Sequence, residues 1–257
     1  MSILFSDLRN FTRISESLGP TDTVDMLNNY FSEMVDVIFR HRGILDKYIG
    51  DAIMALFGAP LEGPNDADNA LAVANETMTA VTQINGARAL ERLSPIDIGI
   101  GIGTVIAGSI GSAKRMDYTV IGDRVNLAAR LESANKFCGT HILVCEYTVA
   151  DLKTDTLMRE IDLIRVVGKD EAVAVFEAMA YHDELTFPNM SETLEAYDAG
   201  LASYRDGDWR EAQTHFIKAP AFHPDDGPSK IYAGRCENFV AAPPAADWDG
   251  IWVLEEK

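Results

Sequence analysis

Cysteine is scarce in this sequence: Cys138, Cys145 and Cys236 are the three in a chain of 257 residues. Their number is odd and no pair stands as C-x-x-C, so they read as reduced, structural thiols of a cytoplasmic protein rather than a disulfide framework. The histidines, His41, His141, His182, His215 and His223, are scattered without the spacing of metal ligands. Positive charge is short as well. Against 40 acidic residues stand 22 basic ones, a net charge of −18. That balance excludes partners that need a basic surface, nucleic acid and anionic membrane among them. No apolar run is long enough for a membrane span or a signal peptide.

What the chain does have is length and apolar content for one large domain, or one domain with a small appendage. Its most informative stretch is Lys47-Tyr48-Ile49-Gly50-Asp51. Ile44, Leu45, Tyr48 and Ile49 precede the Gly-Asp pair, and Ile53, Met54, Leu56 and Phe57 follow it. Short apolar runs either side of Gly-Asp predict a β-hairpin with an exposed carboxylate at its tip. Asp7 ends the apolar run Ile3-Leu4-Phe5 and is the best partner for Asp51. Two carboxylates at strand ends suit a hard cation such as Mg²⁺, which binds through one or two of them and completes its shell with substrate phosphates.

In chain order, the pattern predicts a short helix over 10–18, stopped by Gly19-Pro20. A second helix follows to Gly43, with Val24, Leu27, Tyr30, Phe31, Met34, Val35 and Ile38 at helical spacing. A long alanine-rich helix is expected over 66–90 and a strand over 96–102. Glycines alternate there at 99, 101 and 103 and continue into a turn that reaches Gly111. This run does not fit G-x-G-x-x-G, and close backbone packing of a strand explains it better than a dinucleotide site. A short strand over 118–121 leads into a helix that carries Asn126 and Arg130 on one face. Strands at 142–145, 158–167 and 172–180 complete a sheet. The order suits an α+β class: a ferredoxin-like βαββαβ core with additional strands and helices, followed by a small helical C-terminal extension.

Three segments together resemble the catalytic domain of class III nucleotide cyclases in order and spacing: Phe5-Ser6-Asp7-Leu8-Arg9-Asn10-Phe11-Thr12, Lys47 to Asp51, and Asp117 to Arg130. The resemblance covers residues 1–181 and leaves 182–257 as a separate extension. So little precedes the first motif that the chain is expected to be a catalytic fragment cut from its regulatory region. The resemblance implies an adenylate cyclase that converts ATP into 3′,5′-cyclic AMP and pyrophosphate with two Mg²⁺ or Mn²⁺ ions. Asp7, Asp51 and the Leu8 carbonyl match its metal ligands. Asn126 matches the residue that orients the ribose, and Arg130 the one that meets charge on the α-phosphate. Lys169 matches the lysine that reaches the terminal phosphates, with Lys114 or Arg115 as further contacts.

Lys47 and Thr119 match the residues that read the base. A lysine donor at 47 suits adenine N1, whereas the guanylate cyclases carry glutamate there. Thr119 both donates and accepts, and a threonine at this place resembles the subclass that bicarbonate activates. In the resembled family the two residue sets come from opposite subunits; this chain carries both, so a homodimer with two composite sites is implied. Guanylate cyclase and a catalytically silent cyclase-like module are the alternatives. Beyond Tyr181, Gly200, Gly207, Ala212, Phe216, Ala219 and Pro224 resemble most of one tetratricopeptide repeat. A single repeat cannot bury its own apolar face. Leu194, Tyr197, Leu201, Tyr204, Trp209 and Phe216 are therefore expected to pack on the catalytic domain or a neighbouring chain. The tail with Trp248 and Trp252 is expected to run extended and clasp the surface.

Overall fold

The first run of the sequence is apolar on both faces because both are covered. β1 (Ser2–Leu8) is buried along nearly all its length. It pairs antiparallel with β3 (Ala52–Phe57) on one side and β4 (Ile98–Thr104) on the other. β2 (Ile44–Ile49) lies outside β3, and β7 (Ile142–Cys145) lies parallel outside β4, giving the order β7-β4-β1-β3-β2. α1 (Phe11–Leu18) and α2 (Pro20–Arg40) connect β1 to β2, and α3 (Asp66–Leu90) connects β3 to β4. This is the expected βαββαβ ferredoxin-like core. The computed structural model describes residues 1–91, 93, 95–112, 115–120, 122–166, 171–245 and 248–254. The elements named so far belong to the first of two compact units, Met1–Asn135 with His141–Thr156.

Register decides which side chains share a face. Asp7 pairs with Gly99, Phe5 with Gly101 and Ile3 with Gly103, so the strand glycines lie on the same side as Asp7. On that side runs α4 (Asp123–Cys138), and Ile3, Phe5, Met54, Leu56 and Ala128 pack there as one cluster. A Cβ on Gly101 would run into the Ala128 carbonyl oxygen and the Glu132 amide, and one on Gly99 would lie 2.7 Å from Glu132 Oε1. The alternating glycines are thus what lets α4 lie directly on β4. The opposite side, with Leu4, Ile98, Ile100 and Ile102, faces α3 and the buried positions Tyr30, Met34 and Ile38 of α2.

In this first unit, two elements depart from the sequence reading. β5 (Ala107–Ser112) pairs antiparallel with β6 (Arg115–Val120) as a separate two-stranded sheet, where a turn and a shorter strand were expected. A segment that is Ala, Gly and Ser but for Ile110 has little strand propensity of its own, and the pairing partner supplies what its composition lacks. The short helix α5 (Glu146–Asp151) was also not expected; the buried Thr148 hydroxyl ties it to Thr104 at 3.1 Å.

The second unit, Lys136–Thr140 with Leu157–Lys257, contains the antiparallel pair β8 (Met158–Val166) and β9 (Ala172–Ala178), with β10 (Trp252–Leu254) parallel to the end of β8. Three helices follow β9: α6 (Met190–Arg205), α7 (Trp209–Phe222) and α8 (Gly227–Ala241). The third of these was not anticipated, and it changes where the apolar face goes. Tyr197, Leu201, Tyr204, Phe216 and Tyr232 close into one buried cluster among the helices, with Trp209 against it, and Leu194 is half-buried. The Tyr197 and Tyr232 hydroxyls both donate to the Ile161 carbonyl of β8, at 3.2 and 2.8 Å. Trp248 stacks edge-on against Tyr204, Trp209 and Phe239, and Trp252 lies under the Arg235 guanidinium, so the tail clasps this unit.

Arg159 is fully buried and bonds Glu177 of β9 at 2.5 Å and Asp226, the N-cap of α8, at 2.6 Å. Burial alone would lower the arginine pKa, but the two carboxylates outweigh it and raise it. Among the described residues no helix is long and apolar enough to cross a membrane.

Candidate active site

Asp7 stands at the end of a central strand because the alternation of β1 turns it to the α4 side, where glycine on β4 leaves room. Asp51 stands at the tip of the β2–β3 hairpin. Ile49 pairs with Ala52, which leaves Gly50 and Asp51 to make the turn, and Gly50 takes the left-handed conformation at φ 68°. Glycine adopts that geometry without a Cβ penalty. The hairpin brings the Asp51 side chain into hydrogen-bonding contact with the Asp7 carboxyl. Partial burial first, then this contact and the charge of Asp51, raise the Asp7 pKa to about 7; the Leu8 amide, donating to Oδ1 at 3.0 Å, works against them.

A third carboxylate joins them that the sequence reading missed. Glu132 of α4 is half-buried, and its charge adds to the rise at Asp7. Its own pKa is raised by burial and by Asp51, and lowered by Ser133 and Arg9. Tyr30, one of the residues at helical spacing on α2, is buried, and its hydroxyl lies beside Ser6 without a well-formed hydrogen bond. Burial and the charges of Asp7, Asp51 and Glu132 push its pKa upward. The signal for Glu132 was present in the alternating glycines, which announce close approach of another backbone, but not in the helix alone.

The donor chemistry fits a hard divalent cation. Two carboxylates held in contact carry a mutual repulsion that either a shared proton or a cation relieves. Among the described residues no group of three or more His, Cys, Asp or Glu has metal-binding geometry, so a cation here would draw the rest of its shell from backbone, water or phosphate.

The other candidate residues are placed as follows. Asn126 is exposed and Arg130 half-buried, one turn apart on α4. Lys47 is on β2, opposite Met54 and so on the Asp7 side of the sheet, with Nζ 3.1 Å from Asp46 Oδ2. Thr119 pairs through its backbone with Gly108 between β6 and β5; its side chain, like that of Arg115, is outside what is described. Lys114 and Lys169 lie outside the described residues. The structure thus joins Asp7 to Asp51 and sets Lys47 on their side of the sheet.

Residues 1–178 match the model of the adenylate and guanylate cyclase catalytic domain. The chain is 40% identical over 189 residues to an adenylate cyclase of Anabaena cylindrica, covering 70% of this chain and 37% of that protein. Among solved structures it is similar to the adenylyl cyclase CyaB from P. aeruginosa, with 32% identity and a TM-score of 0.62 over 69% of this chain and 92% of that one. The guanylyl cyclase Cya2 is similar at 37% identity and a TM-score of 0.59, over 69% of this chain and 90% of the other. The chain spans between 11% and 37% of the length of the first curated relatives it matches.

Proposed function

The chain belongs to the adenylate and guanylate cyclase catalytic domain family, and from that membership we propose that it converts ATP into 3′,5′-cyclic AMP and pyrophosphate. The observation that carries the reading is the contact between the Asp7 and Asp51 carboxyls at a strand end and a hairpin tip. The ribose 3′-oxygen forms a bond to the α-phosphorus, the bond from that phosphorus to the bridging oxygen of the β-phosphate breaks, and the hydroxyl proton leaves to solvent. Two Mg²⁺ or Mn²⁺ ions at Asp7, Asp51 and the Leu8 carbonyl would acidify the hydroxyl and neutralise the departing phosphates. Asn126 orients the ribose and Arg130 meets the charge that develops on the α-phosphate. Lys169 holds the terminal phosphates, and Lys47 and Thr119 read the base.

Similarity to a guanylyl cyclase structure keeps GTP as the second reading. Lys47 favours ATP, since its ammonium donates and adenine N1 accepts. Purified protein with Mg²⁺ or Mn²⁺ should turn ATP into cyclic AMP and GTP into much less product. Equal turnover of both, or of neither, refutes the assignment.

We place the active site across a homodimer. Supporting this, the edge strand β2 leaves Ile44, Tyr48 and Ile49 exposed, as are Val24 and Phe39 of α2. Large apolar side chains left exposed on an edge strand and the helix before it are candidates for an interaction surface. Asp51→Ala and Arg130→Ala, each nearly inactive alone, should regain activity on mixing, because one of the two sites in each mixed dimer carries neither lesion. A mixture that stays inactive while subunits demonstrably exchange means the site lies within one chain. Thr119 supports bicarbonate activation; titration at fixed pH and ionic strength, with chloride as control, tests it. We assign 1–181 to catalysis in the cytoplasm and 182–257 to a tetratricopeptide-like extension.

A further inference from the structure

β2 is not a regular strand. Leu45 pairs with Ala55 and Lys47 with Met54, so Asp46 is an extra residue with no partner on β3. Such a bulge turns two consecutive side chains to one side of the sheet, and bulges are over-represented next to active sites, where they re-aim a side chain. Here it places the Asp46 carboxylate beside the lysine that follows it, Oδ2 to Nζ 3.1 Å. The two are unequally exposed: the Lys47 side chain is 52% accessible and the Asp46 side chain 11%. Asp46 Oδ2 itself is sealed from solvent and has no hydrogen bond of good geometry among the described residues. A carboxylate that merely shapes a turn accepts backbone amides, and a buried acceptor left without them is costly.

We propose that Asp46 is a positioning residue for base selection, holding the Lys47 ammonium at the height and on the face where it meets the purine. The proposal rests on the reading of Lys47 as the residue that reads adenine N1. A lysine on four methylenes samples many rotamers and carries a point charge without directional preference. A fixed carboxylate next to it restricts that freedom before substrate arrives, which is the kind of preorganisation that improves binding without a new contact to the ligand. The bulge is what makes the pair geometrically available, since in an unbroken strand residues 46 and 47 would point to opposite faces.

The test compares Asp46→Asn, which keeps shape and removes charge, with Asp46→Ser as a second variant, Lys47→Ala, and the double variant Asp46→Asn/Lys47→Ala. For each, kcat and KM are measured with ATP and with GTP, and a thermal melt establishes folding. Asp46→Asn should raise KM for ATP by up to about fivefold, the weight of a partly exposed ion pair, with kcat little changed. The ratio of kcat/KM for ATP over GTP should fall by the same factor. In the Lys47→Ala background the same substitution should leave the ratio where it is, because the group it positions is gone. If folded Asp46→Asn and Asp46→Ser keep the wild-type ratio while Lys47→Ala lowers it, Asp46 does not position Lys47 and the proposal alone fails. If adding Asp46→Asn to Lys47→Ala lowers the ratio further, by as much as Asp46→Asn lowers it in the wild type, the proposal is also overturned. Should Lys47→Ala leave the ratio unchanged, the reading of Lys47 fails and takes the proposal with it.

Discussion

Replacing Gly101 by alanine adds one methyl group at the place where α4 lies on β4. That methyl would meet the Ala128 carbonyl oxygen and the Glu132 amide, with Glu132 Cα at 3.1 Å, and all three are helix backbone. Flexible side chains could rotate away; a helix has to lift as a whole. Overpacking a core costs about 1–3 kcal/mol, and with rigid backbone as the obstacle the upper value, about 3 kcal/mol, applies. For a chain of this size that corresponds to a fall in Tm of about 6–12 °C. The functional loss should exceed what the stability loss explains, because α4 carries Asn126, Arg130 and Glu132, and a misplacement of about 1 Å in such a site costs roughly 10²-fold in rate. Two controls grade the effect. Gly103→Ala meets the Ala128 Cβ at 3.0 Å with helix backbone no nearer than 3.4 Å, and should lie in between; Gly86→Ala on α3 meets nothing within 4 Å and should be neutral or stabilising. Differential scanning fluorimetry and initial rates at saturating substrate measure both. A Gly101→Ala protein with wild-type Tm and rate would refute the argument that these glycines exist to admit α4.

The Asp7 carboxyl has a folded pKa of about 7 against an ordinary value of 3.8, so its contribution to stability is present at low pH and is lost as pH rises through about 7. Without divalent metal, Tm should therefore fall between pH 5 and pH 8 by more in wild type than in Asp7→Asn, and Mg²⁺ should protect most at the higher pH; identical slopes with and without the Asp7 carboxyl would contradict this. Arg130→Ala should lower kcat by roughly 10²–10³ and leave KM almost unchanged, as steady-state rates will show; a change confined to KM would make Arg130 a binding residue only. Arg159→Ala leaves two carboxylates facing each other in the interior and should cost about 3–5 kcal/mol, whereas an apolar replacement of all three partners should be far milder; the two are distinguished by denaturant midpoints.

The β2–β3 hairpin, the βαββαβ order and the role of the glycines at 99, 101 and 103 were legible because each is written in local spacing. Gly50-Asp51 between apolar runs is a turn signal that no tertiary contact has to supply. What escaped was set by pairing across distance. β5 is a strand because β6 lies beside it, not because Ala, Gly and Ser prefer to be extended. Glu132 joins the acidic group only because β4 has no side chains beneath it. The place of Asp46 could not be read from the sequence, since a bulge is a matter of register between two strands and leaves no mark in either alone. The third helix of the extension was missed for another reason: its buried face mixes Pro228, Ser229, Tyr232 and Cys236, and no clean apolar stripe marks it.

The Arg159 triad bears on how this protein can be taken apart. Two of its members, Arg159 and Glu177, stand within the stretch that matches the cyclase family, residues 1–178; the third, Asp226, stands well outside it. Excising the recognisable module after Tyr181 would strip away Asp226, uncover the Ile161 carbonyl that Tyr197 and Tyr232 now satisfy, and open the interior to water on one side of β8. The helices that look like a detachable cassette are in this sense the wall of the room they adjoin. Transplanting them onto another cyclase would require that recipient to have an arginine at the position of Arg159 and an acid at that of Glu177.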